Sequence, residues 1–206
     1  IVSEGELSFE KLTNDLRTEG AVQKTYDAQR LMDLDIPSPY VNGFLDNIIK
    51  ENPQLKWSTT LETNRGCPFK CSFCDWGSLT YSKIKKFPVP KVYQEIEWLG
   101  KNKIEYIFVA DANFGVFPER DSEIVDIMLE VQATYDYPKV FNANWHKNSK
   151  QNVIPIVKKL TSNGMNRGMT LSVQSMDTDV LKAIERKNMD MSHLKDMFDL
   201  IEKEGL

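Results

Sequence analysis

Two hydrophobic periods alternate along the chain. Trp57 to Thr63 alternates apolar and Thr-rich positions, which predicts a strand. Val89, Val92, Ile96 and Leu99 then recur at helical spacing behind Pro88 and Pro90, with Gly100 near the end of the stripe. Tyr106 to Ala110 is a continuous apolar run, as expected of a parallel strand covered on both faces. A loop over Asp111–Gly115 follows. Asp121 then caps a helix lined by Ile124, Ile127, Met128, Val131 and Tyr135. Val140–Ala143 reads as a third strand. Asn152–Asn163 reads as a third helix, with Pro155 in its first turn and Gly164 past its end. Met169–Val173 reads as a fourth strand and Asp177–Ile184 as a short helical turn. Ser192 caps a last helix bearing Leu194, Met197, Phe198 and Ile201. Gly205 is its C′ residue, and Leu206 begins a fifth strand.

Upstream, Ser8 caps a helix through about Arg17, with Phe9, Leu12 and Leu16 on one face. Glu19 to Asp35 is a polar linker. Pro37 and Pro39 fix an extended path, and a short helix runs from Phe44 to about Glu51. From Trp57 onward, four strand–helix units follow one another. This order predicts an α/β fold, a parallel sheet with helices outside it.

With 206 residues, 41% hydrophobic and 27% charged, the chain can bury one sizeable core. Its net charge is −4 (26 basic, 30 acidic), and no Lys/Arg block marks a DNA footprint. No apolar run approaches the roughly 20 residues of a membrane span. The first residues, Ile1 to Glu6, do not resemble a signal peptide. Both termini read as cut, so a fragment of a longer protein is expected.

All three cysteines fall between Glu62 and Trp76, spaced C-x3-C-x2-C as Cys67, Cys71 and Cys74. A disulfide would leave one thiol over, and no fourth cysteine closes an all-thiolate metal site. Three thiolates can hold three corners of a [4Fe–4S] cubane, leaving one iron open to an external ligand. A zinc knuckle lacking its fourth ligand is the bland alternative. Clustered thiols without a secretory signal point to a reducing cytoplasm. In parallel α/β folds, ligands bind at the carboxyl ends of the strands. The cysteine loop, Asp111 and Asn113, Asn142 and Asn144, and Ser172, Gln174 and Ser175 all leave predicted strands at that rim. His146 reads as a surface residue, and His193 has no metal partner at suitable spacing.

Cys67-x-x-x-Cys71-x-Phe73-Cys74, flanked by Arg65-Gly66 and Asp75-Trp76, resembles the signature of the radical S-adenosylmethionine (SAM) enzymes. The resemblance implies a partial (β/α) barrel, of which about four βα units are present here. It implies a [4Fe–4S] cluster on Cys67, Cys71 and Cys74, SAM on the open iron, and reductive cleavage of SAM to a 5′-deoxyadenosyl radical. Phe73 is expected near the adenine. Asp111 is expected to accept from the SAM amino group, in place of the Gly-Gly-Glu motif of many members. Asn113 and Asn142 are further cofactor-binding candidates. Ser172, Gln174 and Ser175 are expected at the ribose and carboxylate, and Arg186 at the carboxylate.

Ile1–Glu6 with its helix, and Ile36-Pro37-Ser38-Pro39-Tyr40, resemble the approach to the core in cobalamin-dependent members. Residues 1–35 are therefore expected to be the tail of an upstream cobalamin-binding domain and linker, and 36–206 the core, truncated before its last strands. Cobalamin would then enter through a domain outside this chain. The reaction implied is methyl transfer or carbon-skeleton chemistry on a small molecule, with flavodoxin or ferredoxin as reductant. A methylthiotransferase-like protein and a non-catalytic zinc or iron–sulfur module are the alternatives. An open barrel edge is expected to pair with another copy or be covered.

Overall fold

The computed structural model describes residues 4–27, 31–76, 83–146 and 151–206. Its centre is a three-stranded parallel sheet in the order β1 (Ser58–Leu61), β4 (Tyr106–Phe114), β5 (Val140–Trp145). The register places Ser58 opposite Tyr106 and Tyr106 opposite Val140. α3 (Val89–Lys101), α4 (Pro118–Tyr135) and α5 (Ile154–Ser162) carry the chain back between strands. Each has proline in its first turn, where a missing N–H costs nothing. Strand alternation divides the sheet into two faces. Leu61, Ile107, Val109 and Phe141 face the helices and pack into one core with Val92, Ile96, Leu99, Ile124, Met128 and Leu160. Each such buried aliphatic side chain contributes about 1.5–3 kcal/mol. Thr60, Phe108, Ala110, Ala112, Asn142 and Asn144 line cavities on the other face.

Three strand–helix units therefore form as ladders, and the sheet is open: a partial barrel. The fourth predicted strand differs. Residues 169–173 form no ladder, although Met169 packs on the core and Thr170 and Ser172 share a cavity with Asn142 and Asn144 of β5. Leu206 itself, the last residue of this chain, belongs to no ladder and packs on the core. Asp111–Phe114 is not loop but the end of β4, which crosses a register shift between Val109 and Phe114. α6 (Thr178–Ala183) is capped by Asp177, whose carboxylate accepts from Asp179 N and Val180 N.

Other caps fall elsewhere than the sequence pattern places them. α7 (Met191–Lys203) is capped by Asp190, and Ser192 Oγ donates to that same carboxylate. α1 (Glu6–Thr18) starts ahead of Ser8, whose hydroxyl instead donates to Asp27 O at 2.8 Å. Its Phe9 and Leu16 are exposed. The helix is tied to the rest by polar contacts: Lys85 to Glu4 at 3.0 Å and Arg65 to Glu6 at 2.6 Å. α2 (Asp46–Glu51) follows the Pro37–Pro39 segment. That segment is pinned by Tyr40, which bonds Thr59 Oγ1 at 2.8 Å and Thr60 O and lies 5.4 Å from the Trp98 ring.

Candidate functional site

The cysteine loop leaves the carboxyl end of β1. A two-residue antiparallel ribbon closes its base, β2 (Asn64–Arg65) against β3 (Lys85–Lys86). Phe87 N also donates to Thr63 O at 3.0 Å. Gly66 turns the chain into Cys67 with φ +116°, a conformation natural only to glycine. Arg65 makes a fork–fork pair with Glu62 at 2.8 and 2.7 Å and a third bond to Glu6, so its guanidinium is held firmly charged. Burial pushes the Glu6 carboxyl up, but the helix-start amide and Arg65 together bring it below the usual range.

Cys67 and Cys71 are buried and Cys74 is half-exposed. Asn113 Nδ2 donates to Cys67 Sγ at 3.2 Å. The Arg186 guanidinium stands 4.0 Å from Cys71 Sγ. Ser72 N donates to Ile184 O at 3.0 Å, which docks the loop on the end of α6. An amide N–H and a guanidinium thus stand against two of the sulfurs, and iron binds cysteine sulfur as the thiolate. Among the described residues, no three His, Cys, Asp or Glu side chains converge as a single-ion site would require. A cubane asks for less convergence, because each thiolate meets its own iron.

Two cavities open beside the loop, of about 670 and 410 Å³. Both are lined by Trp76 and Ala112. The larger also touches Asn64, Gly66, Tyr40, Phe87 and Glu95. The smaller contains Cys74, Asn142, Asn144 and Ser172. Two buried acceptors of residues lining the larger cavity, Asn64 Oδ1 and Glu6 Oε2, have no donor among the described residues. The Asn64 amide is oriented by its Nδ2, which donates to Asp111 Oδ2 at 2.6 Å. Burial pushes the Glu95 carboxyl up, against its bonds to Ser38 and the charge of Lys91.

The residues expected from sequence divide into two groups. Cys67, Cys71, Cys74, Asn113, Asn142, Ser172 and Arg186 lie at the loop or the cavities beside it. Asp111 lies beneath them, fully buried. Its carboxylate accepts from Thr63 N (2.7 Å), Thr63 Oγ1 (2.5 Å), Asn64 N (3.0 Å) and Asn64 Nδ2 (2.6 Å). Those four bonds satisfy the carboxylate and hold the start of the loop; when Asp111 is protonated, its own O–H donates to Thr63 Oγ1 instead. Burial raises its pKa to about 7, partly opposed by these bonds. Arg186 spends Nη2 on Ser172 O at 2.7 Å and Nε on Asn188 Oδ1 at 3.0 Å. Phe73 and Gln174 are exposed, and Ser175 Oγ accepts from Asp177 N within a turn. Asn142 Nδ2 donates to Tyr106 Oη at 2.9 Å. His146 is half-buried and stacks on Phe69 of the loop, 5.8 Å between centroids. Sequence reasoning missed Asn64, and it named Trp76 only as a flank of the cysteine motif. Only the position of Trp76, two residues past Cys74, hinted at a role.

A parallel, open sheet with three cysteines on the loop after its first strand defines a class: partial barrels that hold a cluster at the carboxyl rim. Residues 61–206 match the radical SAM superfamily. The chain belongs to that superfamily, whose members are enzymes using a [4Fe–4S] cluster and SAM. It is 41% identical over 164 residues to 2-(S-pantetheinyl)-carbapenam-3-carboxylate methyltransferase of Streptantibioticus cattleyicolor, covering 79% of this chain and 24% of that protein. The same figures hold for the cobalamin-dependent radical SAM methyltransferase TokK of Streptomyces tokunonensis. The chain thus spans about a quarter of the length of these relatives. Among solved structures it resembles the cobalamin-dependent SAM radical enzyme OxsB with aqua-cobalamin bound. That likeness has a TM-score of 0.56 at 18% identity, over 89% of this chain and 29% of that one. No helix among the described residues is long and apolar enough to cross a membrane.

Proposed function

We propose that residues 36–206 are the catalytic core of a cytoplasmic, cobalamin-dependent radical SAM methyltransferase, and that 1–35 are the tail of an upstream cobalamin-binding domain and linker. Cys67, Cys71 and Cys74 hold the cluster. When bound, the cluster supplies the electron that cleaves SAM to methionine and a 5′-deoxyadenosyl radical. The protein's own part is to bind, orient and shield. Asn113 and Arg186 place N–H groups toward the cysteine sulfurs. Asn64 Oδ1, an acceptor still without a donor, takes the SAM ammonium in the role first expected of Asp111. Asn142, Ser172 and Trp76 line the space for the nucleoside. Phe73, Gln174 and Ser175 reach it only by a change of rotamer or loop path. A small-molecule substrate enters the larger cavity, and flavodoxin or ferredoxin supplies electrons. The outer edge of β5 is covered at Phe141, whose N–H donates to Met165 O and whose carbonyl accepts from Asn166 Nδ2; the part of the edge left open is the surface for pairing with a second copy.

One observation carries this reading: three cysteines on one loop, beside two adjoining cavities at the carboxyl rim of the sheet. It is supported by the identity to two named methyltransferases. The test is anaerobic reconstitution of the full-length protein with iron, sulfide, cobalamin, methyl-labelled SAM and dithionite. We expect 5′-deoxyadenosine, lost in Cys67→Ala, Cys71→Ala and Cys74→Ala. A reconstituted protein that binds zinc but no cluster would favour the non-catalytic module. Sulfur transfer in place of methyl transfer would favour the methylthiotransferase.

A further inference from the structure

We propose that Arg120 is the positioning residue of the cysteine loop, a clasp that sets the three thiols before any cluster binds. The inference rests on the proposed ligand role of those cysteines. Arg120 lies in the first turn of α4, outside every motif that the sequence pattern singles out. One of its nitrogens, Nη2, donates to Thr63 O at 2.7 Å and to Phe87 O at 2.9 Å. These two carbonyls are the shoulders of the whole excursion that carries Cys67, Cys71 and Cys74. Nη1 reaches Thr63 Oγ1 at 3.3 Å and Asp121 Oδ1 at 3.3 Å. Asp121 is fully buried and is fixed by Gly115 N at 2.8 Å and Phe117 N at 3.2 Å, so it aims the guanidinium from the turn after β4. Asp111 completes the grip from below through its bonds to Thr63 and Asn64.

Only a planar fork with several donors can hold both shoulders and a hydroxyl at once. With the shoulders fixed, the two ends of the excursion are already together when a cluster binds, and the entropy of closing it has been met. The β2–β3 ribbon, two residues long on each side, is too short to be a stable hairpin alone. The clasp therefore keeps the base of the loop shut in the apo protein.

The test uses Arg120→Ala and Arg120→Lys in the full chain. Two readings are made: iodoacetamide alkylation of the apo thiols, and iron and sulfide bound after anaerobic reconstitution. Arg120→Ala is expected to speed alkylation of Cys67 and Cys71 and to weaken cluster retention against a chelator about 10–100-fold, the range for groups that orient metal ligands. Arg120→Lys, which still reaches one carbonyl, falls between it and the parent. Millimolar guanidinium added to Arg120→Ala restores slow alkylation, which simple destabilisation would not allow. Parental alkylation and retention in both variants, or absence of guanidinium rescue, overturns the proposal. If Arg120→Ala fails to fold, Arg120→Lys decides alone: parental behaviour overturns the clasp, and faster alkylation with weaker cluster retention than the parent supports it. A parent that binds no cluster sinks the ligand assignment instead, and the alkylation readings still judge the clasp.

Discussion

Replacing Asp111 by Asn removes one buried ionisable group and keeps its shape. Burial pushes this carboxyl up from 3.8 to about 7, despite its bonds from Thr63 and Asn64, and the nearby charge of Asp121 adds to the rise. Between those two values the folded chain holds a proton that the unfolded chain releases. The stability from that proton is complete below about pH 4 and is lost as pH rises through about 7. Worked from the two values, the loss between about pH 5 and about pH 8 is roughly 2–3 kcal/mol. Asp111→Asn cannot ionise, so its profile lacks this component. The substituted amide is accommodated if Asn64 turns over and accepts through Oδ1, the atom that now has no donor. The assay is urea unfolding of the apo parent and Asp111→Asn across that range. The gap between parent and variant should change by about that amount in favour of the variant at high pH. Parallel profiles would show that Asp111 is already ionised at pH 5 and that its four donors outweigh burial.

If Cys67 and Cys71 ligate the cluster, Asn113→Ala and Arg186→Gln should each lower its midpoint potential by tens of millivolts, because N–H groups and positive charge favour the reduced cluster. An EPR-monitored redox titration reads this, and unchanged potentials would refute it. Ile107→Ala, near the start of the central strand and fully buried, should cost about 2–5 kcal/mol in urea unfolding. Gly100→Ala places a Cβ 2.4 Å from Val131 Cγ1 and 3.0 Å from Tyr135 Cδ2. The overpacking, about 1–3 kcal/mol, outweighs a helix-propensity gain of about 1 kcal/mol, so Tm should fall.

The sequence by itself determined the strand–helix order, the prolines that open helices, the Asp177 cap and the placing of three thiols after the first strand. Each of these is written in residues a few positions apart. Only the tertiary structure decided what the polar residues at the rim do. Asp111 turned inward because Thr63 and Asn64, 48 and 47 residues away, offered four donors to a buried carboxylate. Arg120 joined the loop shoulders across 57 and 33 residues, a relation no local pattern encodes. The fourth predicted strand carries the apolar pattern of a strand, yet residues 169–173 form no ladder beside β5. Apolar periodicity sets which side of a segment is buried, whereas a ladder also needs a neighbour in register, and that is a property of the folded chain.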